Sequence, residues 1–189
     1  MRLVIMGAPG AGKGTQADIV CTRLSIPHIS TGDLFRTNVA RGTALGIEAK
    51  RYMDAGEYVP DDLTNAMVRD RLSQADCAQG FLLDGYPRTI EQVGELDSML
   101  SAQGVGIDAV IELVVDIDEV VQRLVKRAAD QGRADDTEDV IRRRLEVFAE
   151  QTAPLTSRYA SRGLLTQING MDGIDDVTAH ILAALNINT

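Results

Sequence analysis

The run Gly7-Ala8-Pro9-Gly10-Ala11-Gly12-Lys13-Gly14-Thr15 carries the strongest chemical signal in the chain. Its four glycines let the backbone wrap closely and turn N–H groups inward. It begins where an apolar strand, 2–6, ends, and it opens a helix over 13–25, the context in which such a run holds phosphate. The helix N-terminus adds partial positive charge there. Lys13 adds a full charge within reach of β- and γ-phosphates. Gly14 stands where the general pattern has Ser or Thr, and Thr15 follows it. A Gly-rich turn that only capped a helix would have no use for Lys13 at this place. Alone, the run predicts a bound nucleoside triphosphate, a property shared by hydrolases, switches and transferases.

Two further segments could handle an anion. Thr31-Gly32-Asp33-Leu34-Phe35-Arg36 opens a helical stretch after a short strand. Asp84-Gly85-Tyr86-Pro87-Arg88 follows the buried strand 81–84. A carboxylate at the C-terminal end of a parallel strand lies where α/β sheets bind ligands. Asp84 is therefore expected to face the phosphate loop and organise water around Mg²⁺; its other reading is a cap for the helix 89–102. Gly85 and Pro87 form a turn that can aim Arg88 over the crevice; an ordinary surface arginine is the alternative.

Helical periodicity sorts the remaining cations. Val140, Ile141, Leu145 and Phe148 define an apolar stripe, and Arg144 falls inside it. An inward cation needs an anion, either a carboxylate or a bound phosphate. Arg142 and Arg143 fall outside the stripe and read as a solvated face. Arg123 and Arg127 are neighbours one helical turn apart, and Arg133 lies in the polar stretch 128–137, read as a loop. Lys13, Arg36, Arg88, Arg123, Arg127, Arg133 and Arg144 make seven cations with access to one crevice. One triphosphate with Mg²⁺ does not need seven; two phosphorylated substrates would.

The elements that must position these residues follow an α/β pattern. Strands are expected at 2–6, 27–29, 81–84, 109–115 and 164–168, with helices at 13–25, 61–72, 89–102, 116–127, 138–161 (interrupted by Pro154) and 174–186. Asp61 is a candidate N-cap, and 31–55 carries helices broken at Gly42 and Gly56. Five strands with helical crossovers imply a parallel sheet covered on both faces. The length, 189 residues, suits one domain.

Composition narrows the partners. The chain carries 28 carboxylates against 19 basic residues, a net charge of −9, which argues against nucleic acid and anionic membranes. Among the basic residues 16 are Arg and three Lys, a bias toward the cation that grips phosphate bidentately. No segment has signal-peptide or membrane-span character, and Cys21 and Cys77 form no CxxC, so a cytoplasmic protein is expected. Cys21 reads as core packing, and His28 and His180 as structural or surface residues.

The segments 7–16, 29–33 and 83–89, in this order and spacing, resemble the three signatures of the adenylate kinases, and the likeness covers essentially the whole chain. Gly14 is part of that family's version of the loop. The resemblance implies the P-loop nucleoside monophosphate kinase architecture, with a core (1–29, 60–126, 138–189), an AMP-binding segment (30–59) and a short lid (127–137). It implies the reaction Mg·ATP + AMP ⇌ 2 ADP by direct in-line transfer. Gly10, Ala11, Gly12, Lys13, Gly14 and Thr15 would hold the ATP phosphates, with Arg123 and Arg127 assisting and the Gly170 backbone near the adenine. Thr31, Arg36, Glu57, Tyr58, Val59, Gly85, Tyr86, Pro87, Arg88 and Gln92 would form the AMP site, and Arg133 and Arg144 would bridge the reacting phosphates. The lid has no Cys or His, so no zinc is expected, and the family likeness implies a monomer. Gln92 separates this reading from a UMP or CMP kinase, whose members tend to carry Asn there. A nucleotide-switched hydrolase is a further alternative, which the second arginine cluster opposes.

Overall fold

Five apolar runs form one all-parallel sheet, built from β1 (Arg2–Gly7), β2 (His28–Ser30), β3 (Phe81–Asp84), β4 (Ala109–Val114) and β5 (Leu165–Asn169), in the order β2-β3-β1-β4-β5. The computed structural model describes residues 1–131 and 137–187, with 126–131 as backbone alone. Register pairs Ile5 with Asp84 and Ser30 with Asp84, so the ends of β1, β2 and β3 lie side by side. The strand order reverses at β1, and the crevice beyond such a reversal is where open α/β sheets bind ligands.

Helices cover both faces because the strand side chains alternate. Leu3 and Ile5 of β1, Leu82 of β3, and Ile111 and Leu113 of β4 meet α1 (Lys13–Leu24) and α9 (Ile174–Ala184) through Val20, Cys21, Val177 and Ile181. Val4, Met6, Phe81, Leu83 and Val110 face the other way. They pack on α4 (Asp61–Leu72), α5 (Ile90–Ser101) and α8 (Leu155–Ser161) through Val68, Leu96, Leu100 and Tyr159. Each fully buried aliphatic side chain contributes roughly 1.5–3 kcal/mol, and these strands are apolar on both faces.

Two smaller cores stand apart. Phe35 of α2 (Thr31–Ala40), Ala49 of α3 (Ala44–Asp54) and Val59 form one of them. Val120 and Leu124 of α6 (Ile117–Gln131) with Ile141 of α7 (Glu138–Val147) form the other. A π-helical turn, Phe148–Thr152, continues α7 before Pro154 caps α8. Ser30, Thr43 and Thr89 cap α2, α3 and α5 through side-chain oxygens. Among the described residues no helix is long and apolar enough to cross a membrane.

Two local expectations need correction. Asp61 is the first residue of α4, after Pro60, and makes no capping bond; its carboxylate turns instead to α5, as described below. Residues 128–131, read as loop for want of apolar periodicity, continue α6, because alanines and glutamine favour helix without any apolar stripe.

Candidate active site

The ends of β1 and β3 open into a cleft of about 530 Å³. On one wall the phosphate loop crosses from β1 to α1. Gly12 there is left-handed, with φ +90°, a conformation that L side chains resist. Lys13 Nζ donates to the Gly7 and Ala8 carbonyls at 2.8 and 2.9 Å, so the loop holds its own cation in place. Gly10, Gly12, Lys13, Gly14 and Thr15 line the cleft. Ala11 does not: its methyl is packed in the core beside α1, leaving only backbone to offer a phosphate.

The opposite wall comes from the turn after β3. Gly85 has φ +77°, and a Cβ there would stand 2.8 Å from Thr31 Oγ1, so only glycine suits the place. Thr31 donates to the Gly85 carbonyl at 2.8 Å, and Arg88 Nε donates to the same oxygen at 2.7 Å. The Arg88 guanidinium lies 4.9 Å from the centroid of the Tyr58 ring, a cation–π contact. Thr152, on the π-turn, donates to the Arg88 carbonyl at 2.9 Å. Its single hydroxyl hydrogen being spent, Thr152 accepts from the Tyr58 hydroxyl at 2.8 Å. Arg88 is thus held by its own turn and by two distant segments, while among the described residues neither η-nitrogen donates a hydrogen bond.

Lys13, Arg36, Arg88, Arg123 and Arg144 all line this one cleft. Arg36 is also paired with Asp33 at 2.5 Å, and Arg123 with Glu119 at 3.8 Å. Thr31, Glu57, Tyr58, Val59, Gly85, Pro87 and Gln92 join the lining. Arg133 and the Arg127 side chain lie outside the described residues. Two expected members are not in this lining. Tyr86 is buried in the core, its hydroxyl donating to Asn65 Oδ1 at 2.8 Å. Gly170 is absent from the cleft lining: its N–H donates to the Val114 carbonyl and its own carbonyl accepts from Arg123 at 3.2 Å.

Asp84 reaches the cleft, as the strand-end argument anticipates. Burial opposes its ionisation, but His28, Lys13 and Arg88 outweigh that and hold its carboxyl below the usual range. His28, read from the sequence as a structural or surface residue, stands between two carboxylates. Its Nδ1 lies 2.8 Å from Asp18 and its Nε2 3.6 Å from Asp84, the latter a charge contact longer than a hydrogen bond. Burial pushes the imidazole pKa down, yet the two carboxylates prevail and raise it. Only the alignment of β2 with β3 brings His28 there. Cys21, by contrast, is packed in the core with its thiol pushed up to about 12 by burial and by Asp18, and is inert.

Arg143, expected on a solvated face, reaches across to the 30–59 segment. Its Nε sits 2.6 Å from Glu57 Oε1 and its Nη1 3.1 Å from Glu146. Arg142 keeps to its own helix, pairing with Glu138. The Asp84 carboxylate, in the cleft lining and within the charge field of Lys13, is a hard oxygen donor that suits a magnesium ion carried on phosphate. Among the described residues, no group of three or more His, Cys, Asp or Glu side chains is arranged to hold a metal by itself.

This fold and cleft define a P-loop protein of the doubly wound α/β class, with further cationic side chains lining the cleft beside the loop. The sequence model of the adenylate kinase family matches residues 5–164. Curated adenylate kinases are similar over nearly the whole chain. One from a Nocardioides species is 59% identical, covering 99% of this chain and 98% of its own length. One from Kocuria rhizophila is 59% identical over 97% and 98%, and one from Thermobifida fusca 56% over 98% and 98%. The chain belongs to the adenylate kinase family.

Proposed function

We propose that the chain transfers the terminal phosphoryl group of ATP to AMP, giving two ADP. The observation that carries this is the convergence of five cationic side chains, from both walls, on a single cleft. One wall suits a triphosphate; the other, built on Arg36 and Arg88, suits the phosphate of an acceptor. Family membership supports the same reaction.

The acceptor is an AMP phosphate oxygen, anionic at neutral pH, so no general base is required. It attacks the γ-phosphorus in line as the bond to the bridging oxygen of ADP breaks, without a covalent enzyme intermediate. Lys13, Arg88, Arg123 and Arg144, with Arg133, offset repulsion between the two polyanions and the charge spread over the transferred group. Asp84, through water, would hold Mg²⁺, which supplies further charge neutralisation on the ATP phosphates. His28 keeps Asp84 ionised rather than serving the acceptor.

Closure completes this reading. The separate small cores of 30–59 and of α6–α7 support two segments that move on a stiffer sheet. The AMP-binding segment 30–59 and the lid 127–137 would close once both substrates are bound, withholding the γ-phosphate from water. Arg143 with Glu57 is a contact between the 30–59 segment and α7 of the core. The test is ADP formation from Mg·ATP with and without AMP. Turnover that depends on AMP, with negligible phosphate release in its absence, supports the transferase; phosphate release without AMP would show a hydrolase.

A further inference from the structure

Gln92 is only 1% exposed, yet it reaches the cleft wall, and every group touching its amide has a fixed polarity. The Arg88 backbone N–H, which can only donate, lies 2.7 Å from Gln92 Oε1. The Asp61 carboxylate, which can only accept when ionised, takes Gln92 Nε2 at 2.6 Å through Oδ1. Its other oxygen accepts from the Thr89 hydroxyl at 2.7 Å, and Thr89 Oγ1 in turn accepts from the Gln92 backbone N–H at 3.1 Å. This closed ring permits one amide orientation and no other. Among the described residues each end of the amide keeps one valence to spare: a lone pair on Oε1 and an N–H on Nε2.

We propose that Asp61 is a specificity-determining positioning residue: by locking the orientation of the Gln92 amide it selects bases with an amino group over bases with an oxo group. This rests on the reading of Gln92 as the contact to the acceptor base. Adenine offers an N6 amino donor beside the N1 acceptor, which matches the free lone pair and N–H of the locked amide. Hypoxanthine has the same size and the opposite pattern, an O6 acceptor beside an N1–H donor. It would pair only with a flipped amide, which would set Nε2 against the Arg88 N–H and Oε1 against the Asp61 carboxylate. Asp61 lies on α4, and its carboxylate acts through Gln92.

The test compares kcat/KM for AMP and for IMP as acceptors, with Mg·ATP, in the full chain. In Asp61→Ala the AMP-to-IMP ratio falls about 10-fold or more, mainly through the KM of AMP. Asp61→Leu, which removes the acceptor while keeping bulk, moves the ratio the same way and serves if the Ala variant does not fold. Asp61→Asn, whose amide oxygen can still accept from Nε2, keeps the ratio within about threefold of the parent. Gln92→Leu tests the underlying reading and collapses the ratio. An unchanged ratio in Asp61→Ala or Asp61→Leu, with a collapsed ratio in Gln92→Leu, overturns the role of Asp61 and leaves that of Gln92 standing. An Asn variant as indiscriminate as the Ala variant also overturns it. If Gln92→Leu leaves the ratio intact, the base-reading role of Gln92 falls, and the inference with it.

Discussion

Arg88 owes its position to Tyr58, and that dependence can be measured. In the structure Nε is tied to the Gly85 carbonyl and the guanidinium plane rests against the Tyr58 ring. The two η-nitrogens are left to grip a phosphate. Arg88→Lys keeps the charge but loses the fork and the Nε tether, a loss of about 3 kcal/mol in charge-assisted hydrogen bonding. That is roughly a hundredfold drop in kcat/KM for AMP. Tyr58→Leu removes the stacking face, costing about 1–2 kcal/mol at this half-buried place, or roughly 5- to 30-fold. If Tyr58 acts by holding Arg88, the two losses do not add. In an Arg88→Lys background, Tyr58→Leu costs little more, and the cycle returns a coupling of about 1 kcal/mol or greater. Tyr58→Phe keeps the ring, loses only the bond to Thr152 and falls between parent and Leu variant. The assay is steady-state ADP formation with AMP varied at saturating Mg·ATP. Strict additivity, with Tyr58→Leu equally costly in both backgrounds, would refute the reasoning.

Three other outcomes are expected. Lys13→Ala lowers turnover by about 10²-fold or more while the far-ultraviolet circular dichroism stays native; near-normal turnover would remove Lys13 from the chemistry. His28, with its pKa raised in the folded state, stabilises most below its ordinary value of 6.5, and that contribution disappears as pH rises through the raised value. The urea stability difference between parent and His28→Gln is therefore larger at about pH 5.5 than at about pH 8.5, and a difference that grows with pH would contradict the assignment. Labels at the exposed positions Ile47 and His180 come closer by several ångströms when a bisubstrate analogue of ATP and AMP is bound, and equal distances with and without it would rule out closure of the 30–59 segment.

The sequence by itself determined the phosphate loop, the five-strand parallel sheet and most of the cations around the cleft. These are legible because they depend on local rules. Glycines before Lys13 permit a tight wrap, apolar runs too short for helices make buried strands, and a stripe of period 3.6 turns Arg144 inward. Tertiary structure decided what joins segments far apart in the chain. Thr152 enters the site because a π-turn swings it onto Arg88 and Tyr58. His28 meets Asp84 only through the pairing of β2 with β3. Asp61 has the residue type and place of a helix cap, and its turn toward Gln92 follows from the packing of α4 on α5. Arg143 looks solvated on its own helix until Glu57 arrives from 86 residues away. Local periodicity reports which face of an element points inward. Which partner stands on the other side depends on contacts between segments, and no spacing along the chain encodes them.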